Sequence, residues 1–323
     1  RLGGHYNLAY AYTIPVILYL LLRFYRKPSY GLSILFGLLV VLFSAKHLYI
    51  AAFILILWVP YWIFLPLLDK ERFGQPGFIL AHVLIQFVLP FLIFNLFTGM
   101  HDPGLDRTAY PWGFYPSRVR LEAVFLPLSM PHGKWMSLGP VRMQAYVGLL
   151  GTIVALIILM STLRRLLKGR GWGAFQISEV PVWNVLFWAS VAGLLLALGL
   201  PFSPNWEGLL NHAGPYRQLR AVGRFVFPFY YLMCITSFYY LWRWHRDSKC
   251  RIAPFLLIAA VLFTGYESYF HVRKRPAQYH HPISWHSELY HKDAGLEWIE
   301  DEDFSAYQAI LPLPYFHIGS ENY

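Results

Sequence analysis

The sequence contains few charged residues and almost no cysteine. Asp, Glu, Lys and Arg make up 14% of its 323 residues, whereas a soluble protein carries about 25%. The two cysteines lie far apart, Cys234 in an apolar run and Cys250 in a basic loop, which argues against a structural disulfide or a cysteine metal site. The chain also has no P-loop, no GxGxxG motif and no repeat of fixed period. Nothing in it therefore points to cytoplasmic nucleotide as an energy source.

Apolar and aromatic residues are abundant instead. Hydrophobic residues make up 57% of the chain and aromatic residues 19%, more than a soluble core of this length could hide from water. Lipid removes this conflict, and Trp and Tyr concentrate where a membrane meets water. The net charge of +10 falls mostly between the apolar runs, where basic residues act as topology signals and contact lipid phosphates. We therefore expect membrane lipids as partners and no nucleic acid.

Eight apolar runs have lengths near the ~20 residues that a helix needs to cross a ~30 Å hydrocarbon layer. They are 8–22, 31–44, 48–67, 77–97, 143–163, 181–200, 225–242 and 252–270. These runs predict an all-α fold, a transmembrane helical bundle of about eight spans over residues 1–270. The bundle would carry two long outer loops, at 98–142 and at 201–224.

The second and third runs are separated only by a few residues around Lys46. A continuous helix through both would overshoot the bilayer, because each run alone approaches the length of a span. We therefore predict a tight helical hairpin with Lys46 at its tip. A single long bent helix is the alternative.

Basic residues in the short loops predict the orientation. Four loops hold 13 of the 27 Lys and Arg residues: Arg23, Arg26, Lys27, Lys70, Arg72, Arg164, Arg165, Lys168, Arg170, Arg243, Arg246, Lys249 and Arg251. Because short cytoplasmic loops are enriched in Lys and Arg, this side should face the cytoplasm. The predicted location is the cytoplasmic (inner) membrane, multi-pass, with both ends of the chain outside.

Residues 271–323 are the most polar part of the chain. The acidic stretch 297–303 precedes 307–313 (YQAILPL), a segment of β-formers that predicts a buried strand. We expect the start of an extracytoplasmic α/β domain that is cut off. Both ends of the chain fall in the middle of a pattern, which predicts a fragment of a longer protein.

Three arginines form the most informative charged group. Arg217, Arg220 and Arg224 are spaced by three and four residues, which puts them in one row on a helix where the chain enters the predicted outer surface. Guanidinium groups bind phosphate oxygens in a bidentate manner, so the row suits a lipid phosphate or pyrophosphate. Lys46 could neutralise a phosphate from the hairpin tip. The alternative for all four is ordinary headgroup contact and snorkelling.

The first long outer loop combines aromatic rings with carboxylates. Tyr110 and Trp112 could stack on sugar rings, and Asp102, Asp106 and Glu122 could bind hydroxyl groups. Glu122 is the most specific of these, because its neighbours are apolar. Asp102 and Asp106 could also share a divalent cation, the one cofactor that the sequence suggests. The alternative is an interfacial aromatic loop with local ion pairs.

Polar residues also lie inside the fourth apolar run, where His82 and Gln86 are four residues apart and Asn95 follows. Such groups either serve function or bond neighbouring helices, and the sequence leaves both readings open. The tail histidines lack the spacing of a metalloprotease helix, so no metal site is predicted there. They are His280, His281, His286 and His291.

Four stretches carry a resemblance to a known family. They are 44–49 (SAKHLY), 110–114 (YPWGF), 216–225 (YRQLRAVGRF) and 309–314 (AILPLP). With them the chain resembles the bacterial multi-spanning glycosyltransferases of the GT-C fold, in particular the YfhO-like group. The four stretches together span most of the sequence.

The resemblance implies an activity. Such enzymes take a sugar from a polyprenyl-phosphate carrier on the outer face of the membrane and pass it to a glycan, lipid or protein acceptor. By this resemblance the three arginines and Lys46 would hold the donor phosphate. The aromatic loop and Tyr216 would line the sugar or acceptor site. The family's catalytic carboxylate follows the first membrane helix, so it is expected upstream of Arg1 and outside this chain.

Other classes of protein fit the same residues. A flippase for lipid-linked substrates would use His82, Gln86 and Asn95 to line a path. An O-antigen ligase or polymerase would place outer arginines on a lipid pyrophosphate without a loop carboxylate. A non-catalytic scaffold would bind a partner through its outer domain.

Overall fold

The computed structural model describes residues 12–46, 48–101, 118–126, 145–202, 208–209, 222–247 and 253–274. Within these ranges the regular structure is helical, with no strand. The helices are α1 (Thr13–Arg26), α2 (Tyr30–Lys46), α3 (Leu48–Leu68), α4 (Lys70–Phe73), α5 (Pro76–Val83), α6 (Leu89–His101), α7 (Leu121–Phe125), α8 (Gly148–Leu167), α9 (Pro181–Ala197), α10 (Val226–Asp247) and α11 (Ala253–Lys274). A π-helical turn, Leu84–Val88, joins α5 to α6, and 3₁₀ turns cover Gly171–Phe175 and Val222–Phe225.

Each of the eight apolar runs corresponds to a helix, although the bounds differ by a few residues. In the first run, for example, α1 extends beyond the predicted end to Arg26. Lys27 then leaves the helical conformation, with φ −144° and ψ 84°, because Pro28 follows and disfavours a helical residue before it. The fourth run is one long helical segment with the π turn in its middle.

Four helical segments are long and apolar enough to cross a membrane: Tyr49–Leu68, Pro76–Phe97, Gly148–Leu167 and Val222–Asp247. Shorter apolar helices cover Tyr30–Ala45, Pro181–Ala197 and Pro254–Tyr269. Large apolar side chains such as Leu96 on α6 and Met160 on α8 are exposed. Lipid accommodates such side chains, whereas a soluble protein rarely exposes wide apolar patches.

The predicted hairpin is confirmed, and the single bent helix is wrong. α2 ends at Lys46 and α3 begins at Leu48. Well before the tip, Ser33 of α2 accepts a hydrogen bond from Gln86, whose side-chain oxygen accepts from Trp58 and Trp62 of α3. The two helices therefore run side by side and not end to end.

Helix α9 packs against both α3 and α10. Small residues let these neighbours approach closely: a Cβ on Gly193 would lie 3.1 Å from the carbonyl oxygen of Phe225 and 3.3 Å from Cγ2 of Ile56. The indole of Trp183 donates to the hydroxyl of Thr236 on α10 (3.1 Å). Helix α9 ends in a Schellman motif at Gly199 (φ 89°), with Leu200 N–H bonded to the Leu195 carbonyl (3.0 Å).

The chain divides into two units, Arg1–Thr264 and Gly265–Tyr323. The first contains the helices α1 to α10. The second is described only over 265–274, the last part of α11. The predicted α/β domain at 271–323 and its strand at 307–313 lie outside the described residues, apart from the four residues that end α11.

Candidate functional site

Of the three arginines in the predicted row, the structure describes Arg224. It lies in the 3₁₀ turn Val222–Phe225 just before α10. Val222, Gly223 and Phe225 are buried, so the turn is anchored in the protein while Arg224 is half-buried at its edge. The guanidinium carbon lies 5.0 Å from the centre of the Tyr49 ring. This distance is typical of a cation–π contact.

Tyr49 belongs to the first turn of α3 and is itself buried, with 8% of its surface exposed. Its ring centre lies 6.3 Å from Phe53 and 6.3 Å from Phe225, and the Phe53 and Phe225 rings are 5.7 Å apart. These three rings form an aromatic platform that joins the turn to the hairpin. The position of Arg224 is therefore set by packing between α3 and the start of α10.

The aromatic platform brings Arg224 to the hairpin that carries Lys46. Lys46 is the last residue of α2 and precedes Tyr49 by three positions. The structure describes its backbone, whereas its side chain lies outside the described part. Two segments that the sequence assigns to phosphate binding thus meet at one end of the helices.

A third segment, 118–126, reaches the same end through α9. The Val119 N–H bonds to the carbonyl of Ala197 (2.9 Å), one helical turn beyond Gly193, which the Phe225 carbonyl approaches. The last turn of α9 is therefore flanked by segment 118–126 and by the arginine turn. Helix α9 thus holds the two segments in fixed positions at this end.

Segment 118–126 is also bonded to the start of α8. Val147 N–H donates to the carbonyl of Val124 (3.0 Å), and the Thr152 hydroxyl donates to the carbonyl of Phe125 (3.0 Å). Ala123 and Val124 are buried beneath these bonds. Ala123 and Val124 therefore face inward, whereas Leu121 and the Glu122 carboxylate lie at the surface.

Glu122 pairs with Arg120, whose Nη2 lies 3.3 Å from its Oε1. The pKa of Glu122 is below its ordinary value, first because of a backbone hydrogen bond within the residue and second because of the bond from Arg120. Both partners are partly exposed, at 52% and 40%. Glu122 is thus ionised at neutral pH, and it suits the role of a hydrogen-bond acceptor or base and not that of an acid.

Several predicted site residues lie outside the described part of the chain. They are Asp102, Asp106, Tyr110, Trp112, Tyr216, Arg217 and Arg220. The suggested divalent cation at Asp102 and Asp106 therefore stays a prediction. In the ranges that are described, no group of three or more His, Cys, Asp or Glu residues could hold a metal ion.

Two of the polar residues of the fourth run, His82 and Gln86, bond neighbouring helices. Ser33 Oγ lies 2.8 Å from His82 Nδ1 and accepts from Gln86 Nε2 (2.9 Å), while Gln86 Oε1 accepts from the indoles of Trp58 and Trp62 (3.0 Å each). His82 and Gln86 are 2% and 1% exposed. Asn95 donates to the Phe91 carbonyl of its own helix (2.8 Å). For His82 and Gln86 the interhelical reading is the one observed.

Sequence reasoning missed Tyr49 and Gly193 as parts of this end of the molecule. An aromatic residue directly after a hairpin is a signal for Tyr49, but nothing in the sequence pairs it with Arg224. Gly193 lies in a run of small and apolar residues, and its close neighbour at Phe225 becomes visible only in the packing.

Comparison with known proteins finds one family. The family described as Domain of unknown function (DUF6311) matches residues 1–264, the same residues as the first unit. No curated protein and no solved structure matches the chain at a significant level.

Proposed function

This chain belongs to the family described as Domain of unknown function (DUF6311), and we propose that it is a membrane glycosyltransferase. It takes a sugar from a polyprenyl-phosphate carrier and passes it to a glycan, lipid or protein acceptor on the outer face. The proposal rests on one observation, the half-buried guanidinium of Arg224 on the Tyr49 ring at the hairpin end.

A half-buried guanidinium is costly without an anion. Among the described residues no carboxylate pairs with Arg224; its contact there is the ring of Tyr49. An arginine stays charged at low dielectric and offers five N–H donors in a planar fork. A phosphate that enters this end supplies the missing charge and accepts a bidentate hydrogen bond.

The remaining roles follow from the sequence. Arg217, Arg220 and Lys46 complete the phosphate site with Arg224, and this positive charge stabilises the phosphate as it leaves the sugar. The bond between the sugar's anomeric carbon and the phosphate oxygen breaks, and its electron pair stays on the phosphate. The acceptor oxygen bonds to the same carbon, and its proton goes to a general base, the carboxylate that the resemblance to GT-C glycosyltransferases implies.

The sugar or acceptor lies against the first outer loop and its surroundings. The residues proposed for this contact are Asp102, Asp106, Tyr110, Trp112, Glu122 and Tyr216. Glu122 supports this part of the proposal, because it is ionised and partly exposed on a segment that is fixed to α8 and α9. An ionised carboxylate accepts hydrogen bonds from sugar hydroxyls.

We also propose that eight helical segments cross the cytoplasmic membrane. Helices α1, α2, α9 and α11 then cross together with the four segments named above, and both ends of the chain lie outside. A 17-residue helix such as α9 is about 25 Å long, and flanking residues or local thinning of the bilayer accommodate the difference.

Binding of polyprenyl phosphate to the full-length protein in lipid nanodiscs tests the role of Arg224. We expect Arg224→Ala to weaken binding roughly tenfold to a hundredfold, as for the loss of hydrogen bonds to a charged group. The affinity of Arg224→Lys for polyprenyl phosphate should lie between those of the wild type and Arg224→Ala, because lysine keeps the charge but not the planar fork. Arg170→Ala removes an exposed arginine at the opposite end of α8 and serves as the control. Unchanged binding in Arg224→Ala would remove the basis of the proposal.

A lipid-pyrophosphate enzyme, such as an O-antigen ligase or polymerase, is the second candidate, because Arg224 suits a pyrophosphate equally well. Radiolabelled transfer separates the two classes. A polyprenyl-phosphate monosaccharide should be consumed by the glycosyltransferase, and a polyprenyl-pyrophosphate glycan by the ligase. A flippase gains no support from His82 and Gln86, since these residues are bonded to Ser33, Trp58 and Trp62.

A further inference from the structure

A cavity of about 640 Å³ opens at the other end of the first unit, at the loops that carry the basic residues. It lies between the C-terminal ends of α8 and α10 and segment 176–179. Its charged lining consists of two arginines, Arg165 and Arg243, and two carboxylates, Glu179 and Asp247. Both signs of charge are therefore present in equal number.

The wall formed by segment 176–179 is held firmly from inside the protein. The Asn184 side chain accepts from the N–H groups of Ile177 (3.0 Å) and Ser178 (2.8 Å) and donates to the Ser178 carbonyl (3.1 Å). The Tyr240 hydroxyl donates to the Ile177 carbonyl (3.0 Å), and Arg165 donates to the Gln176 carbonyl. The cavity is therefore preformed and does not depend on a ligand for its shape.

The charged groups are only loosely paired with each other. Arg243 lies 3.0 Å from Glu179 and 3.5 Å from Asp247, and the side chains of the three are 41%, 61% and 49% exposed. Asp247 also accepts a hydrogen bond from Nε of Arg246 (2.7 Å), whose side chain is 48% exposed. Exposed ion pairs are weak, at about 0–1 kcal/mol. A ligand with one positive and one negative group can therefore replace these pairs at little cost.

An apolar stripe on α8 leads into the cavity. Ile153 and Ile157 are each 47% exposed, and four-residue steps continue along this face to Ser161 and Arg165, which line the cavity. This face, from the two isoleucines to Arg165 at the cavity, is about 18 Å long, close to the ~15 Å of one leaflet's hydrocarbon. An acyl chain on the stripe would thus place its headgroup in the cavity.

We propose that this cavity binds the headgroup of an aminophospholipid from the adjacent leaflet. Its phosphate contacts Arg165 and Arg243, and its ammonium contacts Glu179 and Asp247. Phosphatidylethanolamine fits this description. Phosphatidylglycerol has no cation for the carboxylates, and the trimethylammonium of phosphatidylcholine has no N–H to donate.

Native mass spectrometry of the full-length protein, released from nanodiscs of equal parts of the three lipids, tests the proposal. We expect the wild type to retain phosphatidylethanolamine about tenfold more than either other lipid, the difference that one hydrogen bond to a charged group supplies. Glu179→Gln should abolish the preference over phosphatidylglycerol, whereas Glu71→Gln, an exposed acid on the same side, should leave it unchanged. Arg243→Gln should lower total retention, and Arg170→Gln should not.

Three results would overturn the proposal. Preference of the wild type for phosphatidylglycerol would make the cavity a site for anions alone. Equal retention of all three lipids would mean that the cavity does not distinguish between headgroups. Displacement of the lipid by millimolar glycerophosphoethanolamine would assign the cavity to a soluble phosphoethanolamine compound. None of these results depends on Arg224, so the glycosyltransferase proposal is tested separately.

Discussion

Arg224 and Tyr49 show how one contact joins distant parts of the chain. The ring faces a guanidinium at 5.0 Å and is itself fixed by Phe53 and Phe225. A cation over an aromatic face is stabilised by about 0.5–2 kcal/mol. The ring therefore both lowers the cost of a half-buried charge and sets where that charge points.

Substitution of Tyr49 separates these two effects. Tyr49→Leu should weaken binding of polyprenyl phosphate by roughly twofold to thirtyfold, because the cation–π contact is lost and Arg224 is no longer held. Tyr49→Phe keeps the ring and should stay close to the wild type. Titration in nanodiscs measures both, and thermal melting in detergent checks the fold. Equal loss in both variants would show that the hydroxyl and not the ring matters.

Glu122 gives a prediction about pH. Its folded pKa is depressed below the ordinary 4.5, so its ionised form contributes stability above the unfolded pKa, and that contribution is lost as pH falls through the folded pKa. The melting temperature of Glu122→Gln should lie below that of the wild type at pH 7, and the two should converge as the pH falls below 4.5 and through the folded pKa. Arg120→Gln should reduce the difference at pH 7. A constant gap at every pH would show that the charge of Glu122 contributes nothing.

Among the helices, α2, α3 and the π turn share one closed polar network. Gln86 uses its amide N–H on Ser33 and its oxygen on two indoles. Near this network, α2 packs so closely on the π turn that Gly37 has no room for a side chain. A Cβ on Gly37 would collide with the carbonyl oxygen of Ile85. The network therefore fixes the register of three helices within an apolar region.

Replacement of Gln86 tests this role. Gln86→Leu leaves the indole N–H groups of Trp58 and Trp62 buried without a partner, whereas Ser33 keeps its bond to His82. Each unpaired buried group costs about 1–3 kcal/mol. We expect a loss of several degrees in melting temperature. Gln75→Leu makes the same change at an exposed position where the side chain makes no cap bond, and it should be nearly neutral. Equal melting temperatures of the two variants would show that the hydrogen bonds of Gln86 do not stabilise the packing of these helices.

At the scale of the first unit, two described arginines join the ends of different helices. The Arg72 guanidinium donates to the carbonyls of Tyr25 (3.0 Å) and Arg26 (2.8 Å), which joins the end of α1 to α4. Arg243 joins the end of α10 to the segment before α9 through Glu179 (3.0 Å). That this end faces the cytoplasm stays a prediction, made because short cytoplasmic loops are enriched in Lys and Arg.

Cysteine labelling tests the orientation. In a chain with Cys234 and Cys250 replaced by serine, we expect Arg118→Cys to react with an impermeant maleimide on intact cells. Lys168→Cys should react only after the membrane is permeabilised, because α8 separates the two positions. The reverse pattern would put the Arg224 site on the cytoplasmic face and exclude transfer on the outer face. Labelling of both on intact cells would mean that α8 does not span the membrane.

The sequence by itself determined the helices and the hairpin of this protein. Run length and hydrophobicity are local properties, so 31–44 and 48–67 predict two helices and a turn at Lys46 without knowledge of their neighbours. The positions of the basic loops follow from the same local pattern. For Arg224, the sequence indicated the residue type and its place at the start of a membrane helix.

Tertiary structure alone decided which of these residues meet. Tyr49 and Arg224 are distant in sequence, and rings pack wherever the helices bring them, so no spacing rule relates the two. The same holds for Ser33, His82 and Gln86, whose hydrogen bonds depend on three helices in one register. Contacts between helices are set by side-chain fit and by the pairing of buried polar groups, and these belong to the assembled molecule and not to any one segment of the chain.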